Sequence, residues 1–240
     1  MAKVIILSGA GISAESGIST FRDEDGLWEN HDIADICTSG CLNFNRENTI
    51  KFYDMLRVNL KDKQPNHAHK VVAQLKNKYP KEIAIITQNV DDMFERAGCK
   101  DILHLHGFLQ ELRCEKCNTI LNIEYEEQFE KHENCPNCNN LLRPNIVFFG
   151  ENAPKYEDMY KEFDDCEVFV VIGTSGAVIY TDMFLNPQIK LSILNNLQES
   201  QFINDSVYSK VLYKKATLAI DEIASDIEKY LEFNLISSYK

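Results

Sequence analysis

The stretch Val4-Ile5-Ile6-Leu7-Ser8-Gly9-Ala10-Gly11-Ile12-Ser13-Ala14-Glu15-Ser16-Gly17-Ile18-Ser19-Thr20-Phe21-Arg22 decides how this chain is read. A β-branched apolar run ends in a glycine-rich turn and passes into small polar residues. Gly9, Gly11 and Ala14 fit G-x-G-x-x-G/A directly after a predicted strand, the context in which the pattern signals dinucleotide binding. Glycines there let the backbone approach a pyrophosphate, and the helix expected to follow offers free N–H groups to it. The competing reading is a buried strand followed by a flexible turn, and for a bare glycine pair the two stand about even.

Working outward, an ordinary dehydrogenase is disfavoured. Its fingerprint is followed about 20 residues later by an acid at the end of a second strand. Here Phe21-Arg22-Asp23-Glu24-Asp25-Gly26-Leu27-Trp28 is polar and turn-rich, with no apolar run before its acids. An extra loop replaces the strand. In it Arg22 is a candidate phosphate ligand, and Phe21 and Trp28 are candidate walls for a ring; a surface loop anchored by two aromatics is the alternative.

The chain has 240 residues, enough for a full core with a small insert, and a formal net charge of -12. No basic stripe is present, which argues against direct nucleic-acid binding. An acidic surface suits basic partners, lysine-bearing tails among them, but many cytosolic proteins are simply acidic. No apolar run approaches the ~20 residues of a membrane span, and Val4–Leu7 is too short for a signal-peptide core. A cytoplasmic protein is expected, in which the eight cysteines serve as thiols or metal ligands rather than disulfides. Nothing in the sequence speaks to oligomeric state.

Apolar spacing predicts a helix from Arg46 to Leu60, with Ile50, Tyr53, Met55, Leu56 and Leu60 on one side. Pro65-Asn66 begins another, carrying Ala68, Val71, Val72 and Leu75. His67 and His69 cannot share a helical face and read as structural or exposed; Cys37 and Cys41 read as ordinary buried or half-buried thiols. Ile83-Ala84-Ile85-Ile86-Thr87 has the continuous apolar character of a strand in a parallel sheet. It hands over Gln88-Asn89-Val90-Asp91. Three more runs behave alike: Ile102–Leu105 hands over His106-Gly107, Val168–Ile172 hands over Gly173-Thr174-Ser175, and Lys190–Leu194 hands over Asn195-Asn196. Ligands bind at the carboxyl ends of such strands. Residues 216–231 read as a closing helix.

Between His106 and Arg143 the character changes. Cys114-x-x-Cys117 and Cys135-x-x-Cys138, separated by 17 residues, match a known zinc spacing. Four thiolates close a tetrahedral site and leave no position for substrate, so the expected Zn2+ is structural. A nucleic-acid zinc ribbon is the competing reading, set against acidic surroundings at Glu124, Glu126, Glu127 and Glu130.

Taken singly, His106 is more often structural than a base, and Asp91 more often a helix cap. In order along the chain, however, Gly9-Ala10-Gly11-Ile12-Ser13, Gly17–Arg22, Gly26-Leu27-Trp28, Thr87–Asp91, Arg96-Ala97-Gly98, Leu105-His106-Gly107, the four cysteines, Pro144–Glu151 and Gly173-Thr174-Ser175 resemble the sirtuins, and the compact bacterial type in particular. The resemblance runs in register from Val4 to about Ser175 and more loosely to Ala216. It implies an α/β fold: a Rossmann-like parallel-sheet domain (1–30, 62–106 and 143–240) with a small helical module (31–61) and a zinc-binding module (107–142) inserted.

The function implied is NAD-dependent removal of acyl groups from protein lysines, releasing nicotinamide and O-acyl-ADP-ribose. The resemblance makes His106 the general base, Asn89 the residue that orients the ribose and a water, and Asp91 the holder of the nicotinamide carboxamide. It assigns the cofactor to Gly9, Ala10, Gly11, Ile12, Ser13, Thr20, Phe21, Arg22, Trp28, Gln88, Asn89, Val90 and Asp91, with Gly173, Thr174, Ser175, Asn195 and Ala216 at the adenosine end. Val147, Phe148, Phe149, Gly150 and Glu151 would pair with the substrate as an added strand. Three departures stand out: Asp92-Met93-Phe94 replaces a common Gly-Leu-His or Asn-Leu-His, Val178-Ile179-Tyr180-Thr181 replaces the usual Val-x-Pro-Ala, and Asn195–Glu199 fits Asn-x-Glu only with a one-residue ambiguity.

Family members that prefer succinyl or malonyl lysine carry Tyr-x-x-Arg on the helix lining the acyl pocket. Here Tyr53 is followed by Leu56 where the arginine would stand, and Arg57 is one residue on, rotated by about 100°. Neutral acyl groups, acetyl first, are therefore expected. The alternatives are a desuccinylase or demalonylase if Arg57 reaches the pocket, an NAD hydrolase or mono-ADP-ribosyltransferase using the same site, and a non-catalytic NAD sensor.

Overall fold

The computed structural model describes residues 3–20 and 33–237, so Phe21, Arg22 and Trp28 lie outside the described residues. Among the described residues, nine strands and seven α-helices follow in chain order: β1 Val4–Ser8, α1 Ile33–Ile36, α2 Cys41–Phe44, α3 Arg46–Leu60, α4 His67–Lys78, β2 Ile83–Thr87, α5 Met93–Arg96, β3 Ile102–His104, β4 Gly107–Cys114, β5 Ile120–Asn122, β6 Leu142–Ile146, α6 Tyr156–Glu162, β7 Val168–Ile172, β8 Leu191–Asn196, β9 Lys210–Tyr213 and α7 Ala216–Ser237.

Six strands form one parallel sheet in the order β3-β2-β1-β7-β8-β9. All five residues of β1 and of β7 are buried, because helices cover both faces. Side chains alternate across the sheet: Val4, Ile6, Val168, Val170 and Ile172 join α4 and α7 residues in one core, while Ile5, Leu7, Phe169 and Val171 pack with Met159 and Phe184 in another. The strand order reverses between β1 and β7, where open α/β sheets leave a crevice.

Helices α3 and α4 stand where the apolar spacing puts them. Asn66 caps α4, its side-chain oxygen accepting from the backbone N–H of Ala68 and His69. Two strand expectations change. β3 is an edge strand and only half-buried, so its side chains do not meet core on both sides. Asn195 and Asn196 belong to β8 rather than following it. The Asn195 amide donates to the carbonyls of Leu212 and Lys214, which fastens the end of β8 to β9.

A second, antiparallel sheet, β5-β4-β6, carries the cysteine pairs. Its own core is small: Leu112, Cys114, Ile123, Cys135 and Leu142. Among the side chains that tie it to the rest are two buried arginines. Fully buried Arg57 on α3 pairs with Asp54 and donates from Nε to the Leu109 carbonyl at 2.5 Å. Arg143 donates to Glu115, between the first two cysteines, at 2.9 Å and to Glu151 at 2.5 Å.

Candidate active site

The loops after β1 and β7 meet across the sheet's switch point. Gly11 N–H donates to the Gly173 carbonyl at 2.8 Å. A Cβ on Gly9 would lie 2.8 Å from both Gly173 O and Thr174 Cβ, and one on Gly11 would lie 2.7 Å from Gly173 Cα. The glycines thus do more than expose backbone to a ligand. They let two strand-end loops pack backbone to backbone, which no larger residue allows. Beyond them, Ala10–Ile12 and Ala14–Ser16 are single 3₁₀ turns rather than one long helix. The Gln88 amide reaches from β2 to Thr174 Oγ1 at 2.9 Å and ties a third strand end to the same place.

Ser13 is the hub. Its buried hydroxyl donates to Asp91 Oδ2 at 2.9 Å and accepts from the Asn89 amide at 3.1 Å. With its one proton given to Asp91, it must accept from His69 Nε2, 3.4 Å away, so the neutral His69 ring carries its proton on Nε2. His69 Nδ1 is buried without a partner. Burial lowers the His69 pKa to about 4, and burial raises that of Asp91 to about 6, opposed by the hydrogen bonds from Met93 N–H and Ser13. The structure therefore separates the two histidines read together from sequence. His67 is exposed and paired with Asp221, while His69 is part of this buried network.

Two further histidines hold the segment after β2 from the other side. His104 Nδ1 meets the Asn89 carbonyl at 3.1 Å, and its Nε2 meets Glu95 at 2.7 Å. Burial alone would lower the His104 pKa, but Glu95 outweighs it and the net shift is upward. His106 Nδ1 meets the Gln88 carbonyl at 3.0 Å; burial lowers its pKa, partly offset by that carbonyl. A carbonyl only accepts, so the His106 proton sits on Nδ1 and Nε2 is left as the basic nitrogen. Its Nε2 lies 2.9 Å from Tyr156 Oη. The sequence reading missed His69, His104 and Tyr156. His69 was legible in principle, since it lies three and four residues before Val72 and Ala73 on the buried side of α4. His104 and Tyr156 carried no such signal.

The segment 147–151 leaves β6 beside His106, whose carbonyl accepts from Val147 N–H at 2.9 Å. Phe149 pairs in parallel with Thr38 and is hydrogen-bonded through Cys37 and Ser39, while its side chain is exposed. Glu151 Oε2 accepts from Phe148 N–H at 2.9 Å, and the Arg143 guanidinium lies 4.0 Å from the Phe148 ring centroid. Tyr53 stacks on that ring and donates to Cys37 Sγ at 3.4 Å. Leu56 is half-buried in the same cluster. At the far end, Ala216 is buried at the start of α7, Ser175 accepts from Ser200 through its carbonyl, and the described part of the first loop ends at Thr20.

The Sγ atoms of Cys114, Cys117, Cys135 and Cys138 all lie within 4.8 Å of one another. Zn–S bonds of about 2.3 Å in a tetrahedron separate sulfurs by a little under 4 Å, so the donor set fits a closed zinc site.

A family model described as the Sir2 family matches residues 9–180. The chain belongs to the Sir2 family. Among curated relatives, an NAD-dependent protein deacylase of Campylobacter jejuni (strain RM1221) is 46% identical over 233 residues, covering 97% of this chain and 98% of that protein. One of Helicobacter hepaticus with the same name is 41% identical over 254 residues, covering 96% and 99%. A solved complex of a Sir2 homologue with NAD superposes with a TM-score of 0.84 at 32% identity, covering 95% of this sirtuin and 90% of that chain. The glycine crossing, the Ser13 network and the basic nitrogen of His106 thus lie in a sirtuin fold, whose cofactor is NAD and whose cysteine cluster is compatible with structural zinc.

Proposed function

We infer that this sirtuin is an NAD-dependent protein-lysine deacylase, and we propose that it removes neutral acyl groups, acetyl first. The observation that carries the catalytic reading is the bond from His106 Nδ1 to the Gln88 carbonyl, because it fixes the tautomer that leaves Nε2 free to take a proton. When bound, NAD supplies the bond to nicotinamide whose cleavage exposes the ribose to the acyl oxygen. His106 takes the proton of a ribose hydroxyl at Nε2. Asn89 and Asp91, held by Ser13, orient the ribose with its water and the carboxamide. Burial keeps this network out of bulk water, which strengthens each bond in it.

Gly9 to Ser13 and Gly173 to Ser175 are assigned to the dinucleotide, and 147–151 to the peptide backbone. Asn195 holds the adenosine end through its grip on β9. The helical module (31–61) and the zinc module (107–142) frame the acyl-lysine side of the site, and we assign the protein to the cytoplasm, where reducing conditions would keep metal-binding thiols free.

The acyl preference is supported by the commitments of Arg57. That side chain is fully buried and held by Asp54 and the Leu109 carbonyl, so turning it toward an acyl chain would break a buried ion pair. Leu56 offers no charge-assisted bond, and an acidic acyl tail would lose hydration without gaining a partner.

Incubation with NAD, with and without an acetyl-lysine peptide, tests the reaction. Nicotinamide release that requires peptide and yields deacylated product is expected. Release indifferent to peptide would instead identify an NAD hydrolase.

A further inference from the structure

Tyr156 opens α6, with its backbone N–H on the Ala153 carbonyl, and its ring packs against the core cluster that contains Leu105 and Met159. From there its hydroxyl lies 2.9 Å from His106 Nε2. The rings are 6.0 Å apart between centroids and inclined at 40°, so the two side chains meet through the oxygen and the nitrogen rather than by stacking. With the His106 proton on Nδ1, Nε2 is an acceptor and the tyrosine hydroxyl must be the donor. Burial raises the Tyr156 pKa, with a smaller push from Tyr160 one turn along α6, so the hydroxyl keeps its proton. A phenylalanine would fill the same apolar space without occupying the base.

We propose that Tyr156 competes with the dinucleotide for the base: its hydroxyl donates to the Nε2 acceptor of His106 and must yield that nitrogen when the ribose hydroxyl takes its place. This rests on the reading of His106 as the general base. One donor and one acceptor are exchanged for another pair, so no proton is lost or gained on entry. The tyrosine bond stabilises the empty state alone, and removing it should therefore tighten ribose binding. A net hydrogen bond of ordinary strength corresponds to about two- to tenfold in affinity.

The test uses the full chain labelled with ¹⁵N-histidine, the His106 resonances being assigned by their loss in His106→Gln. In the wild type above the His106 pKa, Nδ1 should show the protonated shift and Nε2 a hydrogen-bonded acceptor shift. In Tyr156→Phe the Nε2 resonance should move toward the value of a free acceptor, and calorimetric titration with ADP-ribose should give about two- to tenfold tighter binding. A wild-type spectrum with the proton on Nε2 overturns the proposal without any variant. So does an unmoved Nε2 resonance, or equal or weaker ADP-ribose binding, in Tyr156→Phe. None of these readouts needs turnover. An active His106→Ala enzyme would instead overturn the base assignment itself.

Discussion

The nucleotide end of the parallel sheet and the cysteine-bearing antiparallel sheet hold their functional residues by opposite means. Around the first, two apolar clusters clamp β1 and β7 from both faces, and the polar network joins Ser13 in the loop after β1, Asn89 and Asp91 in the loop after β2 and His69 on α4, all anchored to that core. The second has five buried core residues, two of them thiols proposed to bind metal. One region can bear the cost of a buried carboxylate and a neutral buried histidine because its apolar burial is large. The other has no such reserve; its four clustered cysteines are compatible with a structural zinc, and buried arginines such as Arg57 and Arg143 fasten it to its neighbours.

The largest way to break this comparison is to remove the metal. Structural zinc contributes on the order of 10 kcal/mol or more to a small module. Cys135→Ser, or a strong chelator, should release about one zinc per chain and unfold 107–142 while much of the helical signal persists. Active, carefully prepared wild-type protein free of zinc by metal analysis would contradict the structural role.

Next comes the base, which belongs to the rigid region. His106→Ala should slow acyl transfer by about 10²–10⁴, with Tm little changed and NAD still bound. Retained activity would show that another group takes the proton.

The buried pair beside Ser13 gives a subtler effect on stability. Asp91, raised to about 6 in the fold from 3.8, binds more protons folded than unfolded between those pH values, so its contribution falls as pH rises through that window. His69, lowered to about 4 from 6.5, binds fewer protons when folded, so its contribution rises with pH between 4 and 6.5. In the wild type the two slopes oppose each other. Asp91→Asn should relieve up to about 3 kcal/mol of strain at pH 7 and expose the His69 slope, making the protein lose stability on acidification. His69→Gln should leave the opposite slope. Urea melts from pH 4 to 7.5 check both, and parallel curves for the two variants would refute the assignment.

The smallest expected change concerns the acyl pocket, where the two regions meet through α3. Comparing kcat/KM on acetyl-, succinyl- and myristoyl-lysine versions of one peptide should favour acetyl over succinyl by at least about tenfold, the scale of one missing charge-assisted bond. Leu56→Arg should narrow that gap. Faster succinyl removal by the wild type would mean that Arg57 leaves Asp54.

Much of this was legible from the chain alone, for a definite reason. Strands buried on both faces must be continuous apolar runs, so β1, β2, β7 and most of β8 announce themselves, and metal ligands must come in tight pairs. Helices α3 and α4 show through the 3.6-residue period and the Asn66 cap. β9 did not show: it is a four-residue edge strand, half-buried, and its identity comes from pairing with β8. The sequence by itself determined the parallel-sheet class, the two cysteine pairs that come together and most of the residues at the strand ends, because those depend on local pattern and spacing. Tertiary structure alone decided that His69 meets Ser13 across 56 positions, that Tyr156 meets His106 across 50, and that Arg57 turns to Leu109. Those bonds join residues from separate elements, and their geometry exists only after the sheet has assembled and its loops have closed upon one another.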